Sequence, residues 1–373
     1  MDIISIIRDV EDPRREHMRE HSLESIFYVA LSAVICGCEG WNEVEAFGKA
    51  HVDFFRERIP GFRKCPSHDT FNRVFSILSP ESLEESFRRW IAGTCVRFSG
   101  VVAIDGKAVR STCRKSGGSF GCLRMVSAWA TANGVVMGQE RVGTKTNEIT
   151  AIPALIQALD LEGCLVTTDA IGCQKKIVAS IKEAKADFVI GVKGNQPELE
   201  HTIATCFRAW DEMGRPEAEG VGEFVSQERG HGRLETRICH VMSWDVLRLE
   251  GWEPVKSIVR VTSYRKDVKT GMESREERLF ITSLGCEPER IAKAVRSHWA
   301  VENCLHWQLD VSFNEDSTRK RGNAEQNFSL LCKISLMAVK KDKRKGSVKM
   351  KRKMAGWDKQ VLADILDNVW DEK

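Results

Sequence analysis

Residues 100–107 read Gly-Val-Val-Ala-Ile-Asp-Gly-Lys, and the periodicity of the chain changes at this stretch. Residues 101–104 are an apolar run without polar alternation, which is typical of a strand buried on both faces. Two strand-like segments follow at 125–131 and 134–142, and Asn133-Gly134 predicts a hairpin turn between them. The chain therefore enters a sheet at residue 100.

Helical and strand patterns alternate after the hairpin. The sequence predicts helices over about 147–159 and 174–184 and buried strands over 164–168 and 188–192. The resulting order β-β-β-α-β-α-β predicts an α/β fold, a ribonuclease H-like mixed sheet flanked by helices.

The flanking segments have other patterns. Ser22, Ser67 and the pair Ser79-Pro80 are helix-start signals within a helical first hundred residues. Charged, alternating segments predict a β-rich insertion, and a long helix is predicted from about 287 to 309. We therefore divide the chain into an all-helical amino-terminal module (1–97), an α/β domain (98–339) with the insertion at about 215–285, and a basic carboxy-terminal tail (340–373).

Composition limits the classes of protein that remain. Of 373 residues, 42% are hydrophobic, which is enough for a packed core and excludes wholesale disorder. Thirteen cysteines without metal-type spacing predict reduced thiols, and with no membrane segment or targeting peptide visible, a cytoplasmic protein. Residues 340–353 contain nine Lys or Arg and one Asp, which suits either a segment that binds a polyanion or a merely soluble tail.

Two aspartates follow predicted core strands. Asp105 ends the first strand and Asp169 ends the run at 165–168, so both are expected at the carboxyl edge of the sheet. Either one alone could be a turn or capping residue. Together they predict a site that can share divalent cations.

A third acid lies on the predicted long helix. Ile291, Val295, Leu305 and Leu309 fall on one helical stripe, and Glu302 is predicted in its middle with His298 one turn before. A buried carboxylate there is costly unless it is salt-bridged or metal-bound, and both interpretations remain open. The acids Asp310, Glu315 and Asp316 are rivals, but they lie off this stripe or beyond the helix.

Three carboxylates suit Mg²⁺ or Mn²⁺, and two such ions can activate a water or 3′-hydroxyl and stabilise a leaving 3′-oxygen at phosphorus. Only two tyrosines are present, and neither has the setting of a nucleophile. The sequence thus predicts metal-dependent cutting and joining of DNA, with Asp105, Asp169 and Glu302 as both the metal ligands and the catalytic residues.

Several basic or aromatic residues are candidate DNA contacts. They are expected at the sheet edge, in the segment 229–237 of the insertion, and on the long helix. A charged hairpin turn and core tryptophans are the alternative interpretations. The candidates are Lys107, Lys193, His231, Arg233, Arg237, Arg296, His298 and Trp299.

Five segments together are similar to those of one bacterial family: residues 103–107, 168–174, 192–196, 230–237 and 296–303. The chain resembles the H-repeat-associated (Rhs-linked) insertion-sequence transposases, which are DDE transposases, over nearly its whole length. The resemblance implies a triad at Asp105, Asp169 and Glu302, Mg²⁺-dependent excision and strand transfer, and binding of terminal inverted repeats and target DNA. It also implies a homodimer in the synaptic complex and association with the nucleoid.

The chain departs from the wider superfamily at three positions. Where relatives carry a Tyr and an Arg before the catalytic Glu and a Lys after it, this sequence has Val295, His298 and Leu309. The resemblance suggests that His298 takes over a phosphate-binding or ordering role. Two other functions remain as alternatives: a metal-dependent DNA endonuclease without strand transfer, and a domesticated DNA-binding regulator.

Overall fold

The computed structural model describes residues 2–94, 98–116, 119–143, 147–230, 232–244 and 250–368. The amino-terminal helices begin where the sequence predicts, because Ser22 and Ser67 accept hydrogen bonds from the amides of Ser25 and Thr70. The segment after Gly40 forms two helices. The six helices are α1 (Ser5–Arg8), α2 (Leu23–Ile35), α3 (Trp41–Ala50), α4 (Val52–Arg58), α5 (His68–Ile77) and α6 (Pro80–Thr94).

Nine strands form one mixed sheet in the order β3-β2-β1-β4-β5-β9-β8-β7-β6. The pairs β1–β4 and β4–β5 are parallel, and all other neighbours are antiparallel. The strands are β1 (Gly100–Ser116), β2 (Ser119–Ala130), β3 (Val135–Arg141), β4 (Cys164–Thr168), β5 (Asp187–Val192), β6 (Val221–Gly230), β7 (Arg233–Ser243), β8 (Ser257–Asp267) and β9 (Glu273–Thr282).

The predicted insertion does not form a separate sheet. Its last strand, β9, pairs with β5 in the register Val189↔Thr282, so β6–β9 extend the central sheet. Strand β1 also continues well past the predicted end at residue 104 and pairs with β2 as a long ribbon. Sequence alternation marks strands, but it does not show which strand pairs with which.

The sheet is covered on both faces, which explains its apolar central strands. On one face Val166 and Phe188 pack in a core with α7 (Glu148–Gln157), α8 (Lys175–Glu183) and α9 (Pro197–Glu212). On the other face Leu165 and Val189 pack against Ile291 of α10 (Pro288–Val301). Alternate residues of one strand thus enter different cores.

The carboxy-terminal residues are helical: α12 (Asn323–Lys341), α13 (Val348–Trp357) and α14 (Lys359–Asp367). They share one hydrophobic core with the amino-terminal helices, so residues 1–97 have no separate core. Lys351 and Arg352 are buried; Arg352 donates to the Val34 carbonyl (2.7 Å) and lies over the Phe313 ring. The expectation of a solvated basic tail is therefore wrong for these two residues.

Two further observations concern expectations from composition. Cys113 on β1 and Cys122 on β2 form a disulfide, so the expectation of reduced thiols is wrong for this pair. Across the part of the chain that the structure describes, no helix has the length and apolar character needed to span a bilayer.

Candidate active site

The two aspartates lie side by side at the edge of the sheet. The parallel register of β1 and β4 pairs Ile104 with Thr168; Asp105 is the next residue on β1, and Asp169 directly follows the end of β4. Asp169 also accepts a hydrogen bond from the Ile171 amide (3.0 Å), so it caps a short 3₁₀ turn as well. The structure therefore brings this predicted pair together.

The third acid, Glu302, is not in the middle of a buried stripe. The buried residues of this helical segment include Ala294, Val301 and Leu305, whereas Glu302 is exposed and Val295 only partly buried. Residues three, four and seven apart share a helix face, so Val301 occupies the core position and Glu302 lies on its flank. Burial in an apolar stripe was the wrong reason for selecting Glu302.

Glu302 nevertheless faces the aspartates. It begins a π-helical turn, Glu302–His306, between α10 and α11 (Trp307–Val311), and such turns are frequent at functional sites. Together with Asp105, Asp169 and His298 it lines a cavity of about 760 Å³. The exposed side chain of Glu302 therefore borders this cavity.

The charges around Asp105 repel one another. Burial, followed by the neighbouring carboxylates of Asp169, Glu148 and Glu302, raises the pKa of Asp105 to about 7. Glu148, in the first turn of α7, was not selected from the sequence. A glutamate in the first turn of a helix is common, so the sequence contains no signal that would have distinguished it.

Positive partners are scarce at these four acids. Within the described ranges, no Lys or Arg forms an ion pair with any of them. His306 Nδ1 lies 3.4 Å from Asp105 Oδ2, but burial is the main cause that lowers the His306 pKa to about 3, so the ring is neutral. Uncompensated carboxylate oxygens are the donor set that hard divalent cations prefer. These residues therefore fit such an ion.

The side chains are not yet arranged around an ion. Among the described residues, no three Asp, Glu, His or Cys side chains stand together in metal-ligand geometry. Carboxylate rotamers would have to change for Asp105, Asp169 and Glu302 to bind one cation. Glutamate side chains have enough rotatable bonds for such a change.

His298 lies beside the same cavity. Its Nδ1 is 3.1 Å from the Thr167 hydroxyl on β4, and burial lowers its pKa. The ring is therefore held by the strand that carries Asp169, and its other nitrogen remains available to a ligand.

Lys107 is largely buried and paired with acids. Its side chain is only 9% exposed, and Nζ lies 2.6 Å from Asp310 Oδ1, 2.9 Å from Glu315 Oε2 and 3.5 Å from Asp316 Oδ1. A phosphate contact by Lys107 therefore stays a prediction, and these ion pairs would compete with it. The three acids that were rivals of Glu302 instead neutralise this lysine.

The other predicted DNA contacts lie in two places. Lys193 is exposed at the wall of the first cavity. A second cavity of about 700 Å³ lies between the extended sheet and α10, and Trp299 lines both cavities with Arg278 over its ring. His231 lies outside the described residues. The predicted residues that line the second cavity are Arg233, Arg237, Arg296 and Trp299.

Two arginines of the second cavity share one glutamate partner. Arg237 lies 3.0 Å and Arg296 3.2 Å from the same carboxylate oxygen of Glu228. The Arg296–Glu228 pair is about half exposed and therefore weak, whereas Arg237 is only 16% exposed and is also paired with Glu235.

Comparison with known proteins agrees with these features. Residues 97–338 match the family described as Transposase DDE domain, and residues 4–91 match the one described as DDE_Tnp_1-associated. A solved piggyBac transposase synaptic complex with hairpin DNA aligns over 99% of this chain and 76% of that chain at 10% identity, with a TM-score of 0.40, too low to support any inference.

Curated relatives match over nearly the whole length of the chain. The H repeat-associated putative transposase YhhI of Escherichia coli K12 is 36% identical over 98% of this chain and 97% of its own. The putative transposase YncI of Escherichia coli O157:H7 is 36% identical over 98% of this chain and 94% of its own. The resemblance seen in the sequence motifs is confirmed, and the chain belongs to the family of transposases with a DDE domain.

Proposed function

We propose that this transposase binds DNA that carries terminal inverted repeats and cleaves and transfers its strands with divalent cations held by Asp105, Asp169 and Glu302. The observation that carries the proposal is the side-by-side placement of the two aspartates with Glu302 facing them across one cavity. The absence of a Lys or Arg ion pair at these acids, within the described ranges, supports it further.

The residues of the site have different roles in the proposed reaction. Two Mg²⁺ or Mn²⁺ ions, when bound, would activate the attacking oxygen and stabilise the leaving 3′-oxygen. Asp105 lies on β1 and Asp169 directly follows β4, whereas Glu302 lies on the helical segment across the cavity. Lys193 at the cavity wall contacts a phosphate, and His298, held by Thr167, orders the scissile group.

The strand order supports a ribonuclease H-like catalytic core. The first five strands lie in the order β3-β2-β1-β4-β5, with Asp105 on β1 and Asp169 directly after the adjacent strand β4. We assign this catalytic role to residues 98–339, with β6–β9 as an insertion that extends the sheet. The helices of residues 1–97 would contribute to recognition of the DNA ends, and two copies would act in the synaptic complex.

A direct assay tests the proposed function. Full-length protein is incubated with a duplex that carries the inverted repeats flanking its gene, a target plasmid, and either Mg²⁺ or EDTA. The expected result is cleavage at the repeat end and joining to the plasmid with Mg²⁺, and neither with EDTA. Cleavage without joining would indicate an endonuclease, and binding without cleavage would indicate a regulator. Either outcome contradicts strand transfer.

The arginine-lined cavity makes a second prediction. Replacing both Arg233 and Arg296 with Gln should reduce the slope of log affinity against log salt by about two, because each lost phosphate contact contributes roughly 0.9. The slope is measured by fluorescence anisotropy on labelled duplex over a salt series. Lys185→Gln is the control, since Lys185 precedes β5 at the opposite edge of the sheet. An unchanged slope in the double variant would show that this cavity does not contact DNA phosphates.

A further inference from the structure

The residue after Asp105 leaves space for another acid. A Cβ built on Gly106 would lie 2.3 Å from the Glu148 carboxyl carbon and 2.4 Å from each of its oxygens. The φ angle of Gly106 is not positive, so the backbone does not require glycine here. The absence of a side chain at residue 106 is what allows the Glu148 carboxylate to lie against β1, one residue from Asp105.

The backbone of Glu148 is held by its helix. Asn147 caps α7 by accepting from the Ile149 amide (3.2 Å), and Ile152 and Leu155 anchor the helix in the core under the sheet. No described Lys or Arg lies within ion-pair distance of the Glu148 carboxylate, and Arg124 is the positive charge that acts on it from farther away. A glutamate that only stabilised the start of its helix would have no need of the space at Gly106.

We propose that Glu148 is a fourth carboxylate ligand of the cation site, placed beside Asp105 by the missing side chain of Gly106. This inference rests on the proposed function, because it concerns the same cations.

The charge of the site supports a fourth ligand. Two divalent cations carry four positive charges, whereas Asp105, Asp169 and Glu302 supply only three negative charges. With Glu148 the site has four negative charges, which balance the four positive charges of two cations before DNA binds. A neutral site avoids the desolvation free energy of an unpaired charge in a partly buried position.

The test measures cation binding rather than activity. Mn²⁺ binding to the full-length, DNA-free protein is followed by isothermal titration and by the loss of the free Mn²⁺ EPR signal. Glu148→Gln should weaken binding about tenfold or more, since even the hydrogen-bonded neighbours of metal ligands contribute that much. Glu140→Gln, at another half-buried acid on β3, is the matched control and should bind as the wild type does.

A double-mutant cycle tests the role of the glycine. Gly106→Ala should weaken Mn²⁺ binding because the new methyl group displaces a flexible carboxylate, a change that the fold tolerates. In a Glu148→Ala background the same substitution should have no further effect. Circular dichroism confirms folding, and if Gly106→Ala does not fold, Glu148→Gln alone decides.

The outcomes separate the two proposals. Wild-type affinity in Glu148→Gln, together with weakened binding in Asp169→Asn, would overturn the fourth ligand and leave the proposed function standing. An equal loss from Gly106→Ala in both backgrounds would overturn the placement by Gly106. Failure of the wild-type protein to bind Mn²⁺ would overturn both proposals.

Discussion

Glu302→Gln is expected to reduce metal-dependent DNA cleavage about a thousandfold or more while DNA affinity stays the same or rises. Loss of one carboxylate removes charge stabilisation worth several kcal/mol, and each 1.4 kcal/mol or so is tenfold in rate. Glutamine has nearly the same shape but no charge, so less repulsion opposes the DNA phosphates. Cleavage of a labelled repeat-end duplex gives the rate, and anisotropy gives the affinity.

Glu289→Gln is the matched control for this prediction. Glu289 lies in the first turn of α10, the helix that leads to Glu302, and pairs only with Lys293 on the surface. It should cleave at the wild-type rate. Robust cleavage by Glu302→Gln would mean that the catalytic acid is another residue. Glu315 would then be a poor substitute, because it is buried against Lys107.

Lys107→Met is expected to lower the free energy of unfolding by about 3–5 kcal/mol, because it leaves the buried carboxylate of Glu315 without its cation. Glu315 is 2% exposed, and its other oxygen accepts from Ser329 on α12 (2.7 Å). Lys107 thus joins the strand of Asp105 to the segment that follows the Glu302 helix. Urea unfolding followed by circular dichroism measures the change.

Two comparisons check the cause of this loss. Lys293→Met removes a lysine whose pair with Glu289 is exposed on both sides, so it should cost less than about 1 kcal/mol. Adding Glu315→Gln to Lys107→Met should recover part of the stability, since the uncompensated charge is then removed. If Lys107→Met is no more destabilising than Lys293→Met, the buried network does not stabilise the fold.

The order of strands and helices in the core could be predicted from sequence. Residues 164–166 and 188–190 are apolar because they are covered on both faces, and the helices start at capping residues such as Ser22 and Ser67. These signals depend on neighbours within a few positions. Asp105 and Asp169 could be selected for the same reason, since each directly follows such a strand.

Glu302 lines the cavity with the two aspartates, but it does not occupy the buried stripe that helical periodicity predicted. Helical periodicity alone does not decide whether Val301 or Glu302 faces the core, because adjacent residues differ by only one step around the helix. The structure assigns the core position to Val301 and the cavity to Glu302.

By itself, the sequence determined the order of the core strands and helices, which family the chain resembles, and that Asp105 and Asp169 each follow an apolar strand segment. Only the tertiary structure decided what each charged side chain contacts. Lys107 pairs with Glu315, 208 residues later in the chain. Glu148 lies against Gly106, and Arg352 donates to the Val34 carbonyl. The physical reason is the distance along the chain over which each interaction is set. Periodicity and capping are set by local backbone geometry, whereas the partner of a charged side chain comes from whichever distant segment packs beside it.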